Sequence, residues 1–201
     1  MASVPDETGP TLTSEEELRR TTVGDLRPHN KQITLAEYDP EWPRLFEREA
    51  ARLRAVLGPT ALLIEHAGST SVPGLAAKPI IDMVLVVPDT TDEAAYLPAL
   101  VEAGYVLRLR EPDWYEHRLF KGPDTNINLH TFTVGCEEID RMLRFRDWLR
   151  THDEDRARYE AVKRDLAQQT WRHVQHYADS KTTVVKDIHR RMAEADDNQD
   201  N

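Results

Sequence analysis

The chain has 201 residues, enough for one domain with a sizeable core, and its 39% hydrophobic and 31% charged residues are an ordinary balance for a soluble protein. No apolar run has the length of a membrane span or a signal-peptide core, so the expectation is a cytoplasmic protein. The single cysteine, Cys136, is read as a buried, inert thiol, and it excludes an internal disulfide or a cysteine-rich zinc cluster. The formal charge is -10, but nine of the negative charges lie in residues 1–17 and 194–201, where no base accompanies them, which leaves residues 18–193 at about -1. Acidic ends and the lack of a basic stripe speak against a nucleic-acid partner, while local bases remain available for a small anionic substrate.

Residues 1–30 mix Pro, Gly, Thr and charge, and only Ser14 to Leu18 resembles a capped helical turn, so the expectation is a mobile acidic arm. The domain proper is expected over 31–193, followed by an acidic tail, 194–201. Ile33 to Tyr38 alternates like a strand. Asp39-Pro40 then opens a helix that runs to Leu57 with Trp42, Leu45, Phe46, Leu53, Val56 and Leu57 at helical spacing, and Gly58-Pro59 stops it.

The next stretch, IEHAGSTSVPGLAAKPIIDMVLVV from Ile64 to Val87, organises the rest. It reads as a strand ending at Ala67, a tight Gly68-Ser69 turn, a loop punctuated by Pro and Gly, and an apolar strand carrying one charge, Asp82. A carboxylate on such a strand needs a reason. A Gly-Ser turn lets backbone N–H groups surround an anion, and a neighbouring carboxylate can hold the divalent cation that accompanies a polyphosphate. Ser69 and Thr70 either bind phosphate or cap the turn, and His66 is read as a core-edge histidine that holds the loop.

After Val87 a helix is expected over about Glu93 to Ala103, then strands at Tyr105 to Leu109 and Trp114 to Lys121, and the clearest alternation at Ile127 to Val134. Asn126, Asn128 and His130 share one face of that last strand. The remainder is helical, with apolar positions at helical spacing over Glu137 to Arg150, Glu154 to about Thr170 and Asp179 to Ala193. Lys181 precedes Val184, Val185 and Ile188 by three, four and seven residues, which puts it on a buried helical face with Tyr177 one turn earlier. Lys163 sits at the edge of another apolar face. With Lys78, Arg118 and Lys121 these lysines make up a candidate phosphate-binding set, against the alternative of side chains that snorkel past apolar neighbours. Tyr159, Tyr177, Trp114, Trp148 and Trp171 are read first as core or rim aromatics.

Gly68-Ser69 followed by twelve residues and Asp82 fits the spacing of the nucleotidyltransferase signature. Together with NINLHTF, LRFRDWLR, the segment Tyr159 to Lys163 and YADSK, the run EHAGSTSVPGLAAKPIID resembles the GrpB family from about Ile33 to Ile188. That family is similar to the C-terminal domain fused to some dephospho-coenzyme A kinases. The resemblance implies an α/β (α+β) fold: a polymerase-β-type nucleotidyltransferase core with a mixed sheet and a helical C-terminal part. It also implies a nucleoside triphosphate as substrate, Mg2+ or another divalent cation, and a small-molecule acceptor. In the superfamily two carboxylates at alternate strand positions hold the metal ions. Here Asp82 is followed at that spacing by Val84, so a second ligand has to come from His130, Asn128 or Glu65. His130 is either that ligand, beside Asp82, or a general base on the acceptor. The loss of the second carboxylate leaves two readings open, a nucleotidyltransferase that activates a small acceptor and a binding module for a nucleotide or a coenzyme A-like ligand.

Overall fold

The computed structural model describes residues 10–199, so residues 1–9 of the acidic arm and 200–201 of the tail lie outside the described residues. Five strands form one sheet: β1 (Leu63–Ala67), β2 (Ile81–Val87), β3 (Val106–Glu111), β4 (His117–Lys121) and β5 (Ile127–Thr133). Their spatial order is β1-β2-β5-β4-β3, with β2 and β5 parallel and every other pair antiparallel. This is the mixed sheet of an α/β domain, as expected.

Alternation divides the sheet into two faces. Ile81, Met83, Leu85 and Val87 of β2, Ile127 and Leu129 of β5 and Phe120 of β4 point to one face, where Trp42, Phe46, Ala50 and Leu53 of α2 (Glu41–Leu57) and Leu100 of α3 (Leu97–Glu102) cover them. Each such side chain, fully withdrawn from water, contributes roughly 1.5–3 kcal/mol. The opposite face is only partly covered. Ile139 of α4 (Glu137–Thr151) packs there on Ala67, Val84, Val86 and Phe132, and polar side chains, Asp82, Asn128, His130 and Lys121 among them, take much of the remainder. Leu149 of α4, Tyr159 of α5 (Asp153–Ala167) and Val184, Ile188 and Met192 of α7 (Thr182–Gln199) close on Val72 and Leu75. The helical C-terminal part is thereby fastened to the loop that follows the Gly68-Ser69 turn.

Several elements depart from the sequence reading. Residues 33–38 form no sheet strand; Ala36 and Ala77 exchange backbone hydrogen bonds of 2.8 and 2.9 Å, and Lys31 bridges to Trp171. The alternation of Ile33 and Leu35 serves a small cluster with Trp171 and Tyr177 instead. The segment expected as a mobile arm is, from residue 13 onward, attached to the domain. Ser14 caps α1 (Glu15–Thr21), Leu18 is buried, and Thr22 bridges to Leu109 of β3. The helix expected from Glu93 is a short 3-10 turn, Glu93–Ala95, followed by α3, with Pro98 in the first turn of α3, where its missing N–H costs nothing. Trp114 to Glu116 form a turn before β4, with Tyr115 and Glu116 at φ 55° and 50°. The helix expected from Asp179 begins only at Thr182, as α7; a separate short helix, α6 (Val174–Asp179), precedes it, and Lys181 lies in the break between them. Cys136 is half-buried at the N-terminal boundary of α4 rather than buried.

Candidate functional site

The uncovered part of the sheet lies at the start of the two parallel central strands. Register places Asp82 of β2 beside Asn128 of β5, and Val84 beside His130. In the next strand Leu119 pairs with His130, so Lys121, two residues further along β4, continues the row of Asp82 and Asn128. The side chains connect as the register requires. Asn128 donates from Nδ2 to Asp82 Oδ1 at 2.7 Å, and Lys121 Nζ donates to Asn128 Oδ1. His130 Nε2 stands 3.8 Å from Asp82 Oδ1. Burial works to raise the Asp82 carboxyl, but the His130 ring, the Asn128 amide and the Lys78 charge outweigh it and hold it down at about 2.

Gly68 joins β1 to this row and has to be glycine. Its φ of +64° belongs to the left-handed region, and a Cβ there would meet Asp82 Oδ2 at 2.4 Å. The Asp82 carboxylate therefore rests directly against the turn backbone. Arg146 and Arg150, one turn apart on α4, fasten the turn from behind. Arg146 bonds His66 O at 2.9 Å and Glu65 at 2.8 Å, and Arg150 makes two bonds to Ser71 O at 3.0 and 2.9 Å. Neither arginine was singled out from the sequence, although their i, i+4 spacing on one helical face was visible there.

The helical part brings lysines to the other side of the turn. Lys163 of α5 is 2% exposed and donates to Ser69 Oγ at 2.8 Å and to Ala76 O. Lys78 and Lys181 both lie over the Tyr177 ring, at 5.5 and 4.9 Å from its centroid. Burial pushes Lys163 down to about 7, with the Lys181 charge adding to it; burial and the Lys181 charge push Lys78 down to about 8. Burial also lowers Lys121 and Lys181. The Tyr177 hydroxyl, buried in the same region, has no hydrogen-bond partner among the described residues. Four lysines thus converge on Asp82, and none of them forms an ion pair with a carboxylate among the described residues.

Of the expected site residues, Gly68, Ser69, Lys78, Asp82, Lys121, Asn128, His130, Lys163, Tyr177 and Lys181 come together. Three expectations need correction. Arg118 is on the opposite face of β4 from Lys121, buried beside Phe120, where its guanidinium is held by Glu93 at 2.7 Å and Glu116 at 3.3 Å. Thr70 turns its hydroxyl to His66 Nε2 at 3.0 Å and is 1% exposed, so its side chain serves the loop and not a ligand. His66 itself is stacked on Phe46 with ring centroids 4.8 Å apart, and burial lowers it to about 4, in keeping with its reading as a loop-holding histidine. Glu65, one of three candidate second ligands, is taken by Arg146.

His117 and Glu111 were missed. His117, 1% exposed, contacts His130 Nδ1 through Nε2 at 3.1 Å and Glu111 Oε2 through Nδ1 at 2.7 Å. The signal was the alternation of β4, which places His117, Leu119 and Lys121 on the face of Asp82.

As a cation site the arrangement is open. Among the described residues no group of three or more His, Cys, Asp or Glu side chains is placed to hold a metal. A carboxylate and, on the neighbouring row, an imidazole suit a cation that keeps several waters and takes its other oxygens from a phosphate. Among the described residues no helix is long and apolar enough to cross a membrane.

The family model described as GrpB protein matches residues 32–191. The chain is 61% identical over 191 residues to the UPF0157 protein BH1888 of Halalkalibacterium halodurans, covering 95% of this chain and 98% of that protein. It is 30% identical to the dephospho-CoA kinase of Mycolicibacterium paratuberculosis over 79% of this chain, a match that spans only 46% of the kinase. Among solved structures it resembles the conserved protein GrpB from Enterococcus faecalis, with a TM-score of 0.63 and 30% identity over 77% of this chain and 99% of that one.

Proposed function

The chain belongs to the GrpB family, and we propose that it binds a nucleoside triphosphate together with a divalent cation and transfers the nucleotidyl group to a small-molecule acceptor in the cytoplasm. The observation that carries this reading is the set of four lysines, Lys78, Lys121, Lys163 and Lys181, gathered around the Gly68-Ser69 turn, with the Asp82 carboxylate acting on all four and Glu160 and Asp179 each on a single one of them. Gathering like charges away from water is costly unless an anion of several charges completes the site. A triphosphate with its cation supplies that charge and also accounts for a carboxylate placed among the lysines.

In this reading Ser69 and the turn backbone face the phosphates, and Lys163 and Lys78 hold the pyrophosphate portion as negative charge gathers on it. Asp82 and His130 are the protein ligands of Mg2+ or another divalent cation, with the Asn128 amide fixing the carboxylate. When bound, the cation polarises the phosphoryl oxygens. The bond from the acceptor oxygen to the α-phosphorus forms as the bond to pyrophosphate breaks. A carboxylate acceptor yields an acyl-adenylate, an intermediate suited to ligation.

Val84 favours a second reading, a module that holds a nucleotide or a coenzyme A-like ligand without turnover. The occurrence of a related stretch within a longer chain named dephospho-CoA kinase supports the same alternative. The discriminating experiment titrates each nucleoside triphosphate, with and without Mg2+ or Mn2+, into wild type and Asp82→Ala, then follows pyrophosphate release with a panel of acceptors. Cation-dependent binding that is lost in the variant, with release of pyrophosphate, supports the transferase; binding without turnover supports the module. Absence of nucleotide binding under every condition refutes the transferase and the nucleotide-holding module alike, and the same titration with coenzyme A tests the remaining form of the module.

A further inference from the structure

We infer that Glu111 and His117 are positioning residues that fix His130 in the tautomer protonated on Nδ1, so that the Nε2 lone pair is aimed at the Asp82 side of the cleft. The inference rests on the reading of Asp82 and His130 as ligands of a divalent cation, and it deepens that reading.

The three side chains form a line across the polar face of the sheet. Glu111 of β3 pairs with His117 of β4, which stacks on His130 of β5 with centroids 5.1 Å apart, and His130 faces Asp82 of β2. Hydrogen-bond direction along this line has one consistent solution. A carboxylate has no proton to give, so the 2.7 Å contact from Glu111 Oε2 requires a proton on His117 Nδ1. His117 is enclosed by the rings of Trp114 and Phe132, with centroids 5.1 and 4.8 Å away, and that apolar surround favours the neutral ring. A neutral ring protonated on Nδ1 carries only a lone pair on Nε2. The 3.1 Å contact with His130 Nδ1 then has to be donated by His130. The proton of a neutral His130 is thereby committed to Nδ1, and its bare Nε2 looks toward Asp82 Oδ1 at 3.8 Å.

The two groups facing each other across that gap call for a positive charge between them, either a second proton on His130, which is what holds the Asp82 carboxyl down, or a cation in its place. The pair is therefore arranged for a cation, and the Glu111–His117 unit does for His130 what carboxylate partners do for metal-binding histidines generally. A nitrogen ligand beside a single carboxylate also shifts preference from Mg2+ toward softer divalent ions such as Mn2+.

The test reads the tautomer directly. Nitrogen-15 NMR of histidine-labelled protein, free of metal and nucleotide at pH 8, with His130 assigned by its disappearance in His130→Gln, is expected to show a protonated Nδ1 and a bare Nε2. His117→Phe keeps a ring in the stack and removes the acceptor; in it the Nε2-protonated form should gain population. Binding of Mn2+ alone, followed by electron paramagnetic resonance, should weaken by about 10–100-fold in the same variant. A wild-type His130 that carries its proton on Nε2 overturns the inference, and so does a His117→Phe protein with unchanged tautomer and unchanged Mn2+ affinity. The tautomer is read without nucleotide, so the two readings fail separately. The expected tautomer in a protein that binds no nucleotide upholds the positioning role and refutes the proposed function, and the wrong tautomer in a protein that binds nucleotide does the reverse.

Discussion

The depressed lysines make a prediction that binding alone cannot imitate: association with a nucleoside triphosphate should draw protons from the buffer. With Lys163 lowered to about 7 and Lys78 to about 8, free protein at pH 8 holds Lys163 about 90% neutral and Lys78 about half neutral. An anion bound against both ammonium groups favours their charged forms and raises both values again. Full restoration takes up between about one and one and a half protons per nucleotide at pH 8. At pH 6 both lysines are already charged, and uptake by them falls to near zero. The sign follows from linkage: because protons enter on binding, affinity falls as pH rises through 8. Isothermal titration calorimetry in two buffers of different ionisation enthalpy at pH 8 measures the uptake. Lys163→Met should reduce it to about half a proton, the share of Lys78. Equal heats in the two buffers, or net proton release, would refute the reasoning, because the lysines would then be charged beforehand or remote from the phosphates.

Three further outcomes test the geometry. Gly68→Ala forces a Cβ onto Asp82 Oδ2 at a positive φ, so it should cost ~1–3 kcal/mol in urea unfolding and remove the cation-dependent part of nucleotide binding. Arg118→Met should lower stability by ~1–3 kcal/mol, since Glu93 loses a partner, yet leave nucleotide affinity within about twofold; a large loss of affinity would return Arg118 to the site. Val84→Asp, which restores the missing carboxylate in name, should destabilise the protein by several kcal/mol and add no second cation in a Mn2+ titration.

Much of the site was legible because it is local. The Gly68-Ser69 turn, the single charge of β2 and the alternation of β5 each declare themselves within a few residues, and strand periodicity alone puts Asn128 and His130 on one face. What was not legible depends on pairing. Lys121 and Arg118 lie three apart on a strand and so face opposite ways, but only the register of β4 against β5 says which of the two looks at Asp82. The same register brings His117 against His130. Residues 33–38 show the converse: the alternation is real, yet it serves a small cluster with Trp171 and Tyr177, so period two did not mean sheet membership. Lys181 was placed near the site for partly the wrong reason. No Gly or Pro marks the break between α6 and α7, so the periodicity ran straight through it, and the lysine reaches Tyr177 from that break.

Val84 decides how the missing carboxylate is to be understood. It is 0% exposed and packs with Ala67, Val86 and Phe132 under Ile139, so α4 fills the space that, on the proposed reading, a second carboxylate at this position would need. The loss is therefore built into the packing of the helical part on the sheet and is not a single exchanged residue. With α4 in that position, the polar group nearest to Asp82 along the neighbouring row is His130, held from behind by His117. On the other side of Asp82 the lysines supply positive charge, which on the proposed reading stands in for a second metal ion. On the proposed reading, Asp82, His130 and the four lysines would take a polyphosphate with a single divalent ion, because a second cation would add positive charge beside lysines that already supply it.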